Sequence, residues 1–130
     1  LDIKPNEYIE YVTSDNPIIA QLGNLLLEYN IDSVNYFLDE NQENFRTKEN
    51  EIIILSKLIM DNNLEASLHI LLFNEKLHPD SWQTLFQLGQ NYNADGDIAL
   101  AKETLLKAQE LNPDNAEIIN LLNKIDELAK

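Results

Sequence analysis

Few residues in this 130-residue chain have the types and spacing that chemistry needs. Asn91-Tyr92-Asn93-Ala94-Asp95-Gly96 follows the first half of a calcium-binding loop, with side-chain oxygens at alternate positions and a glycine at the sharp turn. The last position of such a loop must be a bidentate carboxylate. Here it is Lys102, a cation facing the ion, and the first position is Asn91 in place of Asp. A plainer use accounts for the same residues: Tyr92 continues a helix and Gly96 supplies the turn after it. Glu65 and His69 stand one helical turn apart and look like half a metal site. Zinc needs three or four ligands, and the other histidine, His78, lies more than two turns further on beside Pro79. His69 is therefore expected at the surface or at a groove edge.

Nucleophile motifs are missing. There is no Ser-x-x-Lys and no Gly-x-Ser-x-Gly, and neither histidine has the serine-and-carboxylate setting of a known catalytic motif. The three glycines are isolated, so no phosphate loop is present. Cysteine is absent, which removes disulfides and thiolate sites together. The chain is accordingly expected to be non-catalytic, with no cofactor and no metal.

What could position a binding surface instead is a repeated helix. Ile19, Leu22 and Leu26, then Ile52, Leu55 and Ile59, then Leu85, Leu88 and Tyr92 each fall on one helical face, and the sets are one pattern moved by 33 residues. A small residue follows the middle leucine each time: Gly23, Ser56, Gly89. It lets a neighbouring helix approach closely. Downstream partners repeat as well, in Val34 and Leu38, Ser67 and Leu71, Ala101 and Leu105. Self-similarity at a step of 33 and then 34 means stacked helical hairpins.

Asn16 before Pro17, Asp80-Ser81 before Trp82, and Asp114-Asn115 before Ala116 are start signals, while Pro79 and Pro113 interrupt the helices before them. Helices are expected at about 17–29, 32–44, 49–61, 64–77, 82–94, 98–111 and 116–129. Residues 1–15, with Tyr8, Ile9, Tyr11 and Val12, are a lead-in. The last helix, with Ile118, Leu121, Leu122, Ile125 and Leu128 on one side, is a cap with a polar outer face. The expected fold is all-α, a right-handed α-α superhelix of three hairpins plus this cap.

Residues 82–115 resemble a tetratricopeptide repeat, carrying Leu85, Leu88, Gly89, Tyr92, Ala101, Leu105, Ala108 and Pro113 at the family's positions. The repeat at about 48–81 departs at Ser56, Ser67 and Asn74, and that at about 16–47 at Val34 and Asn41. The resemblance implies a groove lined by the first helix of each hairpin, holding an extended peptide or partner helix. Registering the repeats puts Ala20, Asn24, Leu27, Ile53, Lys57, Met60, Gln83, Phe86, Gln90 and Asn93 there. Amides can bond a peptide backbone; the apolar members either contact the guest or pack between hairpins. Family members that grip acidic chaperone tails use a clamp of Lys, Asn and Arg. At the matching positions this chain has Ala20, Asn24, Ile54, Gln83 and Gln87, and Asn24 alone agrees. Such an adaptor role is disfavoured.

A narrower likeness runs from Glu51 through Phe73-Asn74-Glu75-Lys76-Leu77-His78-Pro79-Asp80-Ser81-Trp82 to Tyr92. It is similar to helical-repeat tails that follow bacterial serine hydrolases of the β-lactamase and penicillin-binding type, and some esterases. This likeness implies an accessory module that packs on a hydrolase domain or forms a homodimer, in the periplasm or at the cell exterior; otherwise the cytoplasm is expected. The chain begins at Leu1 with no charged-then-apolar leader, so it is expected to be a segment of a longer bacterial protein. The net charge of −14 disfavours nucleic acid and anionic membranes, and no apolar run approaches a membrane span, which leaves protein or peptide as the expected partner.

Overall fold

Helix starts in this chain are set by short polar side chains that accept backbone N–H groups left over in the first turn. The computed structural model describes residues 17–128. The lead-in with Tyr8, Ile9, Tyr11 and Val12, and the start signal at Asn16, lie outside the described residues. Eight helices follow within them: α1 (Pro17–Glu28), α2 (Ile31–Glu40), α3 (Gln42–Phe45), α4 (Glu49–Ile59), α5 (Leu64–Leu77), α6 (Trp82–Ala94), α7 (Ile98–Leu111) and α8 (Ala116–Leu128). No strand occurs among the described residues, and the fold is all-α. Asn30 caps α2 at 3.0 Å from Ser33 N, Asn63 caps α5 at 3.0 Å from Ala66 N, and Asp97 caps α7 at 3.2 Å from Leu100 N. Of the two expected doublets, Ser81 caps α6 at 3.1 Å and Asn115 caps α8 at 3.0 Å.

One helix differs from expectation. The segment expected as a single helix over 32–44 breaks at Asn41 into α2 and α3. At the break Asn41 Nδ2 donates to the Phe37 carbonyl at 2.8 Å, while its own N–H reaches Leu38 O at 3.3 Å. A side chain competing for helix carbonyls tightens and ends the helix. The break turns Phe45 inward, where its ring meets Phe37 and Phe73 edge-on at centroid distances of 6.0 and 5.7 Å.

Packing follows the repeat. Ile19, Leu22, Ile52, Leu55, Leu85 and Leu88 are buried, as are the downstream partners Val34, Leu38, Ser67, Leu71, Ala101 and Leu105. Within hairpins α1 packs on α2, α4 on α5 and α6 on α7; between them α1 lies against α4, α4 against α6, and α5 against α6. Two clusters form the core. Ile52, Leu55 and Ile59 of α4 join the first, with Phe45 and Phe73, and Ile53 joins the second, with Leu88, Leu105 and Ile118. Helix α8 seals the second cluster with Ile118, Leu122 and Ile125. Leu128, expected on that apolar side, is 78% exposed and takes no part in the core clusters.

The small residue at position 89 is required by distance. A Cβ there would lie 2.5 Å from both Cγ and Cδ2 of Leu105, itself fully buried. Gly89→Ala should therefore destabilise the chain: overpacking costs about 1–3 kcal/mol, which outweighs the ~0.8–1 kcal/mol gained in helix propensity. A urea unfolding midpoint at or above wild type would contradict this close approach.

Candidate functional site

A cleft with an apolar lining set among polar groups lies between α4 and α6. Residues 50, 53, 54 and 57 of α4 recur at the three- and four-residue spacing of one helical face, and 82, 83, 86 and 87 of α6 do the same opposite them. The cleft encloses about 430 Å³, within the ~300–1,000 Å³ typical of ligand sites. Ile53, Ile54, Trp82 and Phe86 give the apolar surface; Asn50, Gln83 and Gln87 add amides, and Lys57 and Glu117 add one charge of each sign.

Of the groove residues expected from the repeat register, the structure brings Ile53, Lys57, Gln83 and Phe86 together here. Ile53 is only 7% exposed and belongs chiefly to the core. Met60 sits behind the cleft, its Sδ 3.8 Å from Gln87 Nε2. Gln90 and Asn93 are half-buried further along α6, and Asn24 and Leu27 are exposed on α1; none of these lines the cleft. Asn50 and Trp82 were missed, although Asn50 shares the face of Ile53 and Lys57; Ile54 and Gln87 were registered only against the clamp positions. Nothing local in the sequence marks Glu117, which arrives from α8 across the fold.

Behind the cleft runs a buried hydrogen-bond chain. Ser56 Oγ donates to Ile53 O at 2.6 Å, Ser67 Oγ to Ser56 O at 2.7 Å, Asn91 Nδ2 to Ser67 Oγ at 2.7 Å, and Gln87 Nε2 to Asn91 Oδ1 at 2.8 Å. Ser67, a departure from the repeat pattern, is thus a working member of this chain, whereas Ser56 lends it only a backbone carbonyl and turns its own hydroxyl back into α4. Asn91, the first position of the apparent calcium loop, is fully buried in it. Lys102, the last position, bridges Asp126 at 2.8 Å, and Gly96 makes the turn at φ 86°.

His69 stands elsewhere, joining the first hairpin to the second. Its Nδ1 lies 2.9 Å from Tyr29 Oη and its Nε2 lies 2.6 Å from Asn35 Oδ1. Both ring nitrogens are engaged, and the half-buried ring lines a cleft with Asn35, Asp39 and Lys76, so the histidine stands at a groove edge and also links the two hairpins. Tyr29 takes φ 28° at the end of α1, a left-handed conformation that costs a bulky residue energy, as it presents this hydroxyl. No group of three or more potential metal ligands occurs among the described residues. None of their helices is long and apolar enough to cross a membrane.

Comparison of the chain with protein-family models, curated proteins and solved structures gives no match.

Two predictions arise from these contacts. Ser67→Ala leaves the buried Asn91 amide without its acceptor and should cost about 1–3 kcal/mol in urea unfolding; an unchanged midpoint would show that the chain carries no weight. Burial holds the His69 pKa below its ordinary value of 6.5, with the Glu65 carboxylate pulling the other way less strongly. Between 6.5 and that lower folded value the unfolded chain binds more protons, so stability is full above the window and falls as pH drops through it. His69→Gln should lose less stability than wild type between pH ~7.5 and ~5.5. Equal losses would refute the assignment.

Proposed function

We propose that this chain is a non-catalytic binding module of the tetratricopeptide type, in which stacked hairpins form a right-handed superhelix and the α4–α6 cleft receives a protein or peptide segment. The observation that carries the reading is the cleft itself: Trp82 and Phe86 are only half-buried, although each packs on the second core cluster, and amide side chains surround them. Large aromatic groups with spare area beside fixed hydrogen-bonding groups are what a peptide-binding surface needs. Two further facts support it. The first helices of successive hairpins lie side by side, as a continuous groove requires, and the repeated positions are the buried ones. The net charge of −14 opposes polyanionic partners, so nucleic acid and anionic membranes are disfavoured as ligands.

Panning a random peptide display library on the 130-residue chain tests this reading. Selected peptides should lose about tenfold or more in affinity, ~1.4 kcal/mol, on both Phe86→Ala and Gln83→Trp. The second variant fills the cleft from an exposed position and leaves core packing intact. Peptides that bind both variants as tightly as wild type would remove the cleft assignment. Failure to select any peptide, with a dimer in sedimentation, would favour the structural or dimerising accessory role instead.

A further inference from the structure

The hydrogen bonds around the cleft decide what kind of guest it takes. Ser56 O is a carbonyl and can only accept, so the single Ser67 hydroxyl proton goes to it. Ser67 Oγ can then only accept from Asn91, which turns Asn91 Nδ2 toward it and Asn91 Oδ1 toward Gln87. Gln87 must answer with Nε2. Its Oε1 is left over, buried and without a donor, on a side chain that lines the cleft and is 2% exposed. One backbone carbonyl, relayed through three side chains, thus makes the amide at the cleft an acceptor.

The same imbalance recurs one turn away. A second cleft of about 370 Å³ shares Gln83 with the first and is lined by Glu49, His78, Asp80 and Ser81. Asn74, behind it, spends Nδ2 on Glu49 O at 3.3 Å and Thr84 Oγ1 at 3.1 Å, and its buried Oδ1 has no donor. Ser81 gives its hydroxyl proton to the Glu49 carboxylate. His78 Nε2 is also buried without a partner. Across the two clefts the acids are Glu49, Asp80 and Glu117, against Lys57 as the one lysine or arginine. Negative charge is in surplus at the cleft surface, with unmatched acceptors buried behind it, and the surface charge calls for a guest that donates.

We propose that the joined clefts take a cationic amphipathic peptide segment: a large apolar side chain against Trp82 and Phe86, and a neighbouring arginine or lysine reaching Glu49 and Asp80. This rests on the peptide-binding reading above. An arginine suits the second cleft best, since its planar fork carries five donors and keeps its charge in a partly desolvated site. An acidic segment would meet like charge at one end and an unsatisfied acceptor at the other.

The test uses the peptides selected by panning and synthetic, fluorescently labelled copies in which each arginine or lysine is replaced by glutamine. Affinity is read by anisotropy on wild type, on Glu49→Gln/Asp80→Asn, on Asp80→Asn alone, and on Glu103→Gln/Glu110→Gln, which removes the same charge from exposed sites on α7. Gln at 49 can still accept from Ser81, and Asp80 is exposed, so folding is not at stake. The expected result is selection of apolar residues beside arginine or lysine, with a loss of about five- to twentyfold on the cleft double variant, part of that loss on Asp80→Asn, and under about twofold on the α7 pair. Glutamine copies should bind weakly to wild type and be indifferent to the cleft variants. Selection of acidic or neutral peptides that still depend on Phe86 would overturn this inference and leave the binding reading standing. Equal losses on both double variants would overturn it in favour of diffuse attraction. Loss of all dependence on Phe86 and Gln83 would bring down the binding reading itself.

Discussion

The Ser67 hydroxyl has one proton, and the structure gives it to the backbone carbonyl of Ser56. The polar run through Asn91 and Gln87, between the second and third hairpins, takes its direction from that bond. Asn91 bonds back to Ser67 on α5, and Gln87 bonds to Asn91 one turn along α6, so the chain crosses from one hairpin to the next. Buried amides and hydroxyls are costly when unpaired, by about 1–3 kcal/mol each, so a slip of α6 against α5 would strand several at once. An apolar contact tolerates such a slip far better. The chain therefore sets a register that leucines alone would leave loose, and the α4–α6 cleft inherits its shape from that register.

Helix α4 is where the two halves of the molecule meet. Ile52, Leu55 and Ile59 go into the cluster with Phe45 and Phe73, whereas Ile53 goes into the cluster with Leu88 and Leu105. A helix buried on two sides has little surface left, and what remains on α4 includes Asn50, Ile54 and Lys57, residues of the cleft wall. The close contact of Gly89 with Leu105 acts on the other wall. It brings α7 hard against α6 and so helps fix the helix that carries Trp82 and Phe86. The cleft is what two constrained helices leave exposed between them.

Much of this was legible in the chain. The step from Ile19 to Ile52 to Leu85 located the buried faces, because a helix exposes its core residues at a period that survives divergence in the rest of the repeat. Ser81 and Asn115 announced helix starts because capping is a local exchange between one side chain and one backbone N–H. The break at Asn41 was not legible: Asn74, at the corresponding place one repeat later, stays inside α5. The same residue type ends one helix and serves another, and the difference lies in what is packed alongside. Asn74 finds Glu49 O and Thr84, while Asn41 turns to its own helix. For the cleft, Ile53, Lys57, Gln83 and Phe86 were readable from register, but Leu27 and Asn24 were placed in the same groove by a symmetry that the first repeat does not keep at its surface.

The sequence by itself therefore determined the all-α class, most helix boundaries and the core, since these depend on periodicity and on bonds between near neighbours. The tertiary structure alone decided the fate of the polar residues. Ser56 and Ser67 look in sequence like departures from a repeat, Asn91 like the head of a calcium loop, Gln87 like a clamp position without its cation, and His69 like a group at the surface or a groove edge. Folding makes Ser67, Asn91 and Gln87 a directed hydrogen-bond chain that ends on the Ser56 carbonyl, and His69 a link to Tyr29 and Asn35. The physical reason is that an apolar side chain needs only to be covered, and any neighbour will do. A polar one needs a partner of the right kind at the right distance, and in this fold that partner often comes from another helix.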